Sequence, residues 1–302
     1  MGNVLVVGSI NKDITLTVKR LPKVGETILS SGTHYANGGK GANQAIALGK
    51  LGAEVSFFGK VGSDSFGEEM LQSLEQSGVD TALCLKDQKA SSGLALILLN
   101  EEGDNSIVVS SGANFTICED EVRALEDFIK DVDFCVMQLE IPVNVVNCVL
   151  SLCKMYEVCT ILNPAPVVEN INDLWFDKID YLIPNEHELE ALVKEEALSF
   201  DKKCQKLLNS GVKNVIVTLG EKGSCLYQGV NKIEYFSAYK VDAVDTTAAG
   251  DSFIGAFTHM LAKGKKEAEA IAFAAKVSAI TVTRQGAQIS IPSMEEVEEL
   301  IG

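Results

Sequence analysis

Short, continuously apolar runs recur along the chain: Val4–Val7, Val55–Phe58, Phe134–Met137, Thr160–Leu162, Tyr181–Ile183 and Val215–Leu219. A strand with one solvated face alternates apolar and polar positions. These runs do not alternate, which is the pattern of strands covered on both faces. Between them stand stretches with helical periodicity, such as Gly67–Ser77, stopped by Gly78, and Pro142–Met155. The succession predicts an α/β fold, an open, mostly parallel sheet flanked by helices and joined by right-handed crossovers.

Two segments, Asp13–His34 and Ser91–Ser110, depart from this rhythm. Ile14–Val18 alternates cleanly, and Leu94–Leu99 and Ser106–Val109 flank Asn100–Asn105, a hairpin turn by composition. Each segment is expected to leave the core just after a sheet strand and return to it. The chain is therefore read as one domain, residues 1–302, with lid strands inserted at about 13–34 and 91–110. A small β-sheet built this way can act as a lid over the carboxyl edge of the main sheet, or be a hairpin on its rim. Glu295–Leu300 reads as a solvated amphipathic helix.

Charge narrows the functions available. The formal net charge is −16, which argues against nucleic acid or an anionic membrane surface as a partner. It does not exclude a nucleotide, whose phosphates backbone N–H groups can capture locally. The eight cysteines form no Cys-x-x-Cys pair and several fall in apolar stretches, so they are expected to be reduced thiols used as small apolar residues. The N-terminus lacks a basic segment and cleavage site, and no apolar run is long enough to span a membrane. A cytoplasmic location is expected, with the sequon Asn114-Phe115-Thr116 an accident of composition.

Four segments carry candidate chemistry. After the first strand, Gly8-Ser9-Ile10-Asn11-Lys12-Asp13 puts Asn11 and Asp13 on one face of an extended chain. An amide and a carboxylate there can grip a polyol, or the two can simply form a turn. Asn37-Gly38-Gly39-Lys40-Gly41-Ala42-Asn43-Gln44-Ala45 opens a helix with a glycine loop, where ligand can approach backbone and Lys40 and Asn43 add donors. It lacks the spacing of a Walker A loop, and a plain turn remains open. Glu140 and Asn163, each followed closely by proline, end strands at the carboxyl edge. Asn185-Glu186-His187-Glu188 repeats that arrangement, with carboxylates able to hold Mg²⁺ or to serve as ordinary first-turn residues.

The most informative segment is Asp245-Thr246-Thr247-Ala248-Ala249-Gly250-Asp251. Three small residues before a helix expose successive N–H groups, an anion hole for a phosphoryl group in transfer. Asp251, in the first turn beside that hole, can accept the proton of an attacking hydroxyl. A carboxylate that only capped the helix would not need Ala248-Ala249-Gly250 before it.

In order and spacing, these segments resemble the ribokinase, or PfkB, family of carbohydrate kinases, from Val4 to Pro292. Gly38–Ala45 is similar to the family's N-terminal signature and Asp245–Gly255 to its C-terminal one. Gly8–Asp13, Met137–Glu140, Leu162–Pro166 and Val282–Gln288 extend the likeness. It implies ATP-dependent phosphorylation of O5 of D-ribose, with Asp251 as general base and Ala248, Ala249 and Gly250 supplying the anion hole. It implies a sugar site of Asn11, Asp13, Gly39, Lys40, Asn43 and Glu140. Asn185 and Glu188 would lie near the phosphates and Mg²⁺, and Thr218, Gly220 and Gly223 would border the nucleotide. Lys276 would lie near the adenine, where relatives often carry Asn or His. An activating monovalent cation, K⁺, would be held largely by carbonyls of Asp245, Thr247, Thr281, Arg284, Gly286 and Ser290. The family's lids pair into a homodimer, which makes a second copy the expected partner. The alternatives are a related kinase for deoxyribose, fructose or a nucleoside, and a non-catalytic sugar sensor, which would be expected to lose Asp251 or the Ala-Ala-Gly run.

Overall fold

In the computed structural model, which describes residues 2–168, 173–195, 197–229 and 232–300, an eight-stranded sheet forms the centre. It runs from Ile233–Phe236 at one edge through Ser224–Tyr227, Asn214–Thr218, Tyr181–Leu182, Cys159–Leu162, Phe134–Met137 and Val4–Val7 to Val55–Phe58. All pairings from Asn214–Thr218 to Val55–Phe58 are parallel. Ser224–Tyr227 and Ile233–Phe236 add an antiparallel edge that the apolar runs do not announce. The other predicted strands and the helices Ser65–Gln76, Val143–Met155 and Met294–Leu300 appear within a residue or two of their expected ends, except that the strand expected at Ile14–Val18 begins three residues earlier, at Asn11.

Because successive side chains point to opposite faces, each buried strand feeds two cores. Val4 and Val6 face the helices Lys40–Lys50, Ala249–Ala262 and Glu267–Val282, whereas Leu5 and Val7 face Val143–Met155. Leu5 and Leu48 have no accessible surface, and burial of each such side chain stabilises the fold by about 2 kcal/mol. The thiols are all unpaired, and Cys135, Cys148, Cys153, Cys204 and Cys225 are buried.

A second, four-stranded sheet has the order Gly32–Gly38, Asn11–Thr17, Gly93–Leu99, Asn105–Ser110. Asn11–Thr17 pairs antiparallel with Gly32–Gly38 but parallel with Gly93–Leu99, so the two inserted segments are joined at their first strands. One expectation needs correcting. The Ser91–Ser110 segment does not leave the main sheet; it follows Leu85–Asp87, which pairs with Lys60–Gly62 in a separate two-stranded sheet. Asp64 clamps that departure point, accepting from the backbone and hydroxyl of Ser92 while capping the helix Ser65–Gln76 at Gly67.

Candidate functional site

The parallel strands aim their carboxyl ends at one edge, and Val4–Val7 is where the chain's path across the sheet reverses, with Val55–Phe58 on one side and Phe134–Met137 on the other. Open α/β sheets hold ligands at such a switch point. Here a cleft of about 920 Å³ lies between that edge and the inner face of the second sheet. Asn11, Asp13, Gly39, Lys40, Asn43 and Glu140 line it together with Asn185, Glu188, Thr218, Asp245, Thr247, Ala248, Ala249, Gly250, Asp251 and Gly286. Five carboxylates, Asp13, Glu140, Glu188, Asp245 and Asp251, thus share the lining with one basic side chain longer than histidine, Lys40.

Asp251 is buried in the first turn of Ala249–Ala262, and both its oxygens are engaged. Asn43 Nδ2 donates to Oδ2 and Gln44 Nε2 to Oδ1, each at 2.9 Å. Ala248 adopts the left-handed conformation, φ 60°, to turn the chain into this helix. Of the expected anion-hole donors, the Ala249 N–H is already bonded to Thr246 O at 3.2 Å. A ligand anion must share or replace that bond, whereas no backbone acceptor among the described residues takes the Gly250 or Asp251 N–H.

At the opposite end, the glycine loop packs on the first strand's exit. Gly39 has φ 88°, and a Cβ there would meet Asn11 N and Ile10 Cα at 2.8 Å. A Cβ on Gly41 would meet Ser9 N at 2.7 Å. Only glycine lets the loop lie this close. Glu140 accepts from the Ser9 hydroxyl and the Lys40 backbone. Burial pushes the Asp13 carboxyl up to about 7, with nearby Glu140 adding to the rise and Lys12 opposing it. Burial would lower the Lys40 ammonium, but Asp251, Glu140 and Glu188 outweigh it and hold its pKa above the usual lysine range. Glu188 is itself raised, by burial first, against its bond from the Asn185 backbone and the charge of Lys40.

Asp245 ties two loops together. Its Oδ1 accepts from the Thr247 N–H and hydroxyl, and its Oδ2 from the Gly286 N–H at 2.9 Å. Burial works to raise this carboxyl, but these bonds hold it below the usual range.

Some predicted residues lie outside the cleft lining: Gly220, Gly223, Lys276, Thr281, Arg284 and Ser290. Gly220 and Gly223 bound the turn after Asn214–Thr218. The Thr281 hydroxyl is spent on Val277 O, Arg284 pairs with Glu296 at 2.7 Å, and Ser290 bonds Ala287 O. Lys12 also faces away, toward Asn37 and Glu69. The sequence assigns no role to three positioning residues, although Gln44 and Gln138 stand within Asn37–Ala45 and Met137–Glu140. Gln44 holds Asp251, Gln138 holds Gln44, and Asn114 donates to Asn11 Oδ1 at 2.8 Å while bonding both polar groups of the Ile10 backbone. The sequon asparagine is therefore buried, and the one signal that marked it pointed to the wrong chemistry.

The family model for pfkB family carbohydrate kinases matches residues 1–294. A ribokinase of Schizosaccharomyces pombe is 42% identical, covering 99% of this chain and 97% of its own length. A deoxyribokinase of Salmonella typhi is 36% identical over 99% of this chain and 98% of its own. Among solved structures, Arabidopsis thaliana ribokinase complexed with ribose and ATP superposes with a TM-score of 0.92 at 33% identity, covering 99% of this chain and 98% of that one. By sequence and by fold, the chain belongs to the pfkB family of carbohydrate kinases.

Proposed function

We propose that this chain is an ATP-dependent ribose kinase, transferring the γ-phosphoryl group to O5 of D-ribose. The observation that carries the proposal is one buried carboxylate, Asp251, beside free N–H groups at a helix start and within one cleft of Asn11, Asp13, Lys40 and Glu140. The sugar O–H bond breaks as Asp251 takes its proton, the oxygen bonds phosphorus, and the bond from phosphorus to the ADP oxygen breaks. Gly250 and Asp251 N–H groups receive the charge on the phosphoryl oxygens, with Ala248 and Ala249 completing the hole. Thr218 borders the nucleotide, Gly220 and Gly223 shape the turn behind it, and Lys276 lies on its adenine side.

The cleft's own charge favours metal partners for ATP, since five carboxylates face one lysine. Among the described residues no three His, Cys, Asp or Glu side chains are grouped to hold a metal ion. Glu188 and Asn185 would hold Mg²⁺, directly or through water, beside the ATP phosphates. The loops at Asp245–Thr247 and Arg284–Gly286, joined by the Asp245–Gly286 bond, offer oxygen donors suited to K⁺, with Thr281 and Ser290 completing the carbonyl set. When bound, these cations offset the charge of the phosphates.

The sheet over the cleft serves as a lid that excludes competing water. Ile107 and Val109 line its inner face, Val108 and Tyr35 add exposed apolar surface, and a second copy of the chain is the proposed cover. Among the described residues no helix is long and apolar enough to cross a membrane. A cytoplasmic enzyme that binds neither nucleic acid nor membrane fits its free thiols and its charge of −16.

Two features count against a nucleoside or a sugar phosphate as the acceptor. No Phe, Tyr or Trp is among the described lining residues, so a nucleoside base lacks a stacking partner. Lys12 is committed to Glu69, which leaves Lys40 alone to meet a sugar phosphate. An ATP-consumption screen over pentoses, hexoses and nucleosides, with and without K⁺, is expected to give fastest turnover on ribose with K⁺. Fastest turnover on deoxyribose, a hexose or a nucleoside would overturn the substrate assignment while leaving the kinase.

Sugar binding should also depend on pH. With Asp13 raised to about 7, the free site is mostly protonated below that value, and ligand hydroxyls need the ionised form as acceptor. Affinity is therefore fully present above about 7 and falls as pH drops, by up to about tenfold per unit. Calorimetric titration with ribose between pH 5.5 and 8.5 reads the slope. Asp13→Asn should bind weakly and without slope, and an unchanged slope in that variant would assign it to another group.

A further inference from the structure

Gln44 Oε1 accepts from Gln138 Nε2 at 2.6 Å, and Gln44 Nε2 donates to Asp251 Oδ1 at 2.9 Å. Gln44 and Gln138 have no accessible surface. A side-chain amide has a donor end and an acceptor end. If Gln44 turned over, its oxygen would face a carboxylate oxygen, acceptor against acceptor. Gln138 reinforces the observed orientation by donating to that oxygen from the other side.

Gln138 itself is poorly accounted for by packing. Its Oε1 is buried without a hydrogen-bond partner among the described residues. It occupies the space beside Gly8, where a Cβ would come within 2.0 Å of it. An unpaired buried acceptor is destabilising, and an apolar side chain of similar volume would avoid that cost. The unpaired oxygen beside Gly8 is what remains when the amide is turned to present its nitrogen to Gln44.

We propose that Gln138 and Gln44 form a directional amide relay that fixes the Asp251 carboxylate for proton abstraction, with Gln138 a positioning residue for a base it does not touch. The relay moves no proton. With Gln44 on Oδ1 and Asn43 on Oδ2, the carboxylate plane cannot rotate, and the remaining lone pairs are aimed before the sugar arrives. Pre-set geometry of this kind acts on the chemical step more than on ground-state binding.

The proposal rests on Asp251 as base, and its test separates the two. Gln138→Met keeps the volume and removes the donor. Its kcat for ribose phosphorylation is expected to fall about tenfold with KM changed less than about twofold, the size of one lost hydrogen bond to a charged group's support. Gln44→Met should fall further, and the double variant should match Gln44→Met, because the two act in series. A purely structural role predicts losses that multiply and that track a lowered melting temperature. Parent kcat in folded Gln138→Met, or multiplied losses in the double variant, would overturn the relay, even where Asp251→Asn confirms the base. Should Gln138→Met not fold, parent kcat in Gln44→Met overturns the relay from its other end.

Discussion

Asp251→Asn is expected to fold, bind sugar and turn over about 10²–10⁴-fold more slowly than the parent chain. The fold should survive for a specific reason. The new amide presents one oxygen and one nitrogen where the parent has two oxygens. Its oxygen can keep the bond from Gln44, whose direction Gln138 enforces. Its nitrogen then faces Asn43, whose Oδ1 is buried without a partner among the described residues. A flip of Asn43 turns donor against donor into a satisfied pair, so the hydrogen-bond count is restored. The lost group is then only the proton acceptor. Melting temperature should stay within a few degrees, ribose affinity within a few-fold, and the deficit should lie in kcat. A folded, sugar-binding variant with kcat near the parent's would remove Asp251 as base.

The main sheet was legible because its strands are buried on both faces, and in runs this short continuous apolarity is the mark of a covered strand. Its antiparallel edge was not. Ser224–Tyr227 is buried but mixes polar and apolar residues over four positions, and Ile233–Phe236 is largely exposed, so neither shows the continuous apolarity of a covered strand. The departure of Ser91–Ser110 from the two-stranded sheet was missed for a similar reason, since Lys60–Gly62 and Leu85–Asp87 hold three residues each, too few to establish a period.

The cleft was legible where chemistry demands an unusual residue at an unusual place. Glycine at 39, in a left-handed conformation pressed against backbone, leaves a mark in any sequence. A carboxylate after Ala-Ala-Gly does the same. The roles of Gln44, Gln138 and Asn114 leave none, because their work depends on which way a neutral amide faces. That direction is set by residues 94 and 103 positions away in sequence, and no local period encodes it. The loops at Asp245–Thr247 and Arg284–Gly286, proposed above for K⁺, show the converse. Thr281, Arg284 and Ser290 were named for their carbonyls, and their side chains indeed turn to other partners.

Lys40→Met is expected to lower kcat about 10²–10³-fold, the usual loss when a preorganised stabiliser of developing charge is removed. Lys40 is the only lysine or arginine among the described cleft-lining residues, and methionine preserves its length while deleting the charge. The ammonium's pKa is raised despite burial because Asp251, Glu140 and Glu188 surround it, so it arrives charged at any physiological pH. Two losses follow from its removal. The phosphoryl group in transfer loses a nearby cation, whose charge is worth most once the lid excludes water. The carboxylates lose their shared counter-ion, and Glu188, already raised by burial, holds its proton to still higher pH. The second loss predicts an acidic limb of the kcat profile displaced upward in Lys40→Met, which a purely steric defect would not produce. Arginine should restore the charge but not the activity, because a planar guanidinium does not occupy the place of a compact ammonium. A deficit confined to the KM for sugar, with kcat intact, would make Lys40 a ground-state binding residue and return the stabilisation of the phosphoryl group to the Gly250 and Asp251 backbone alone.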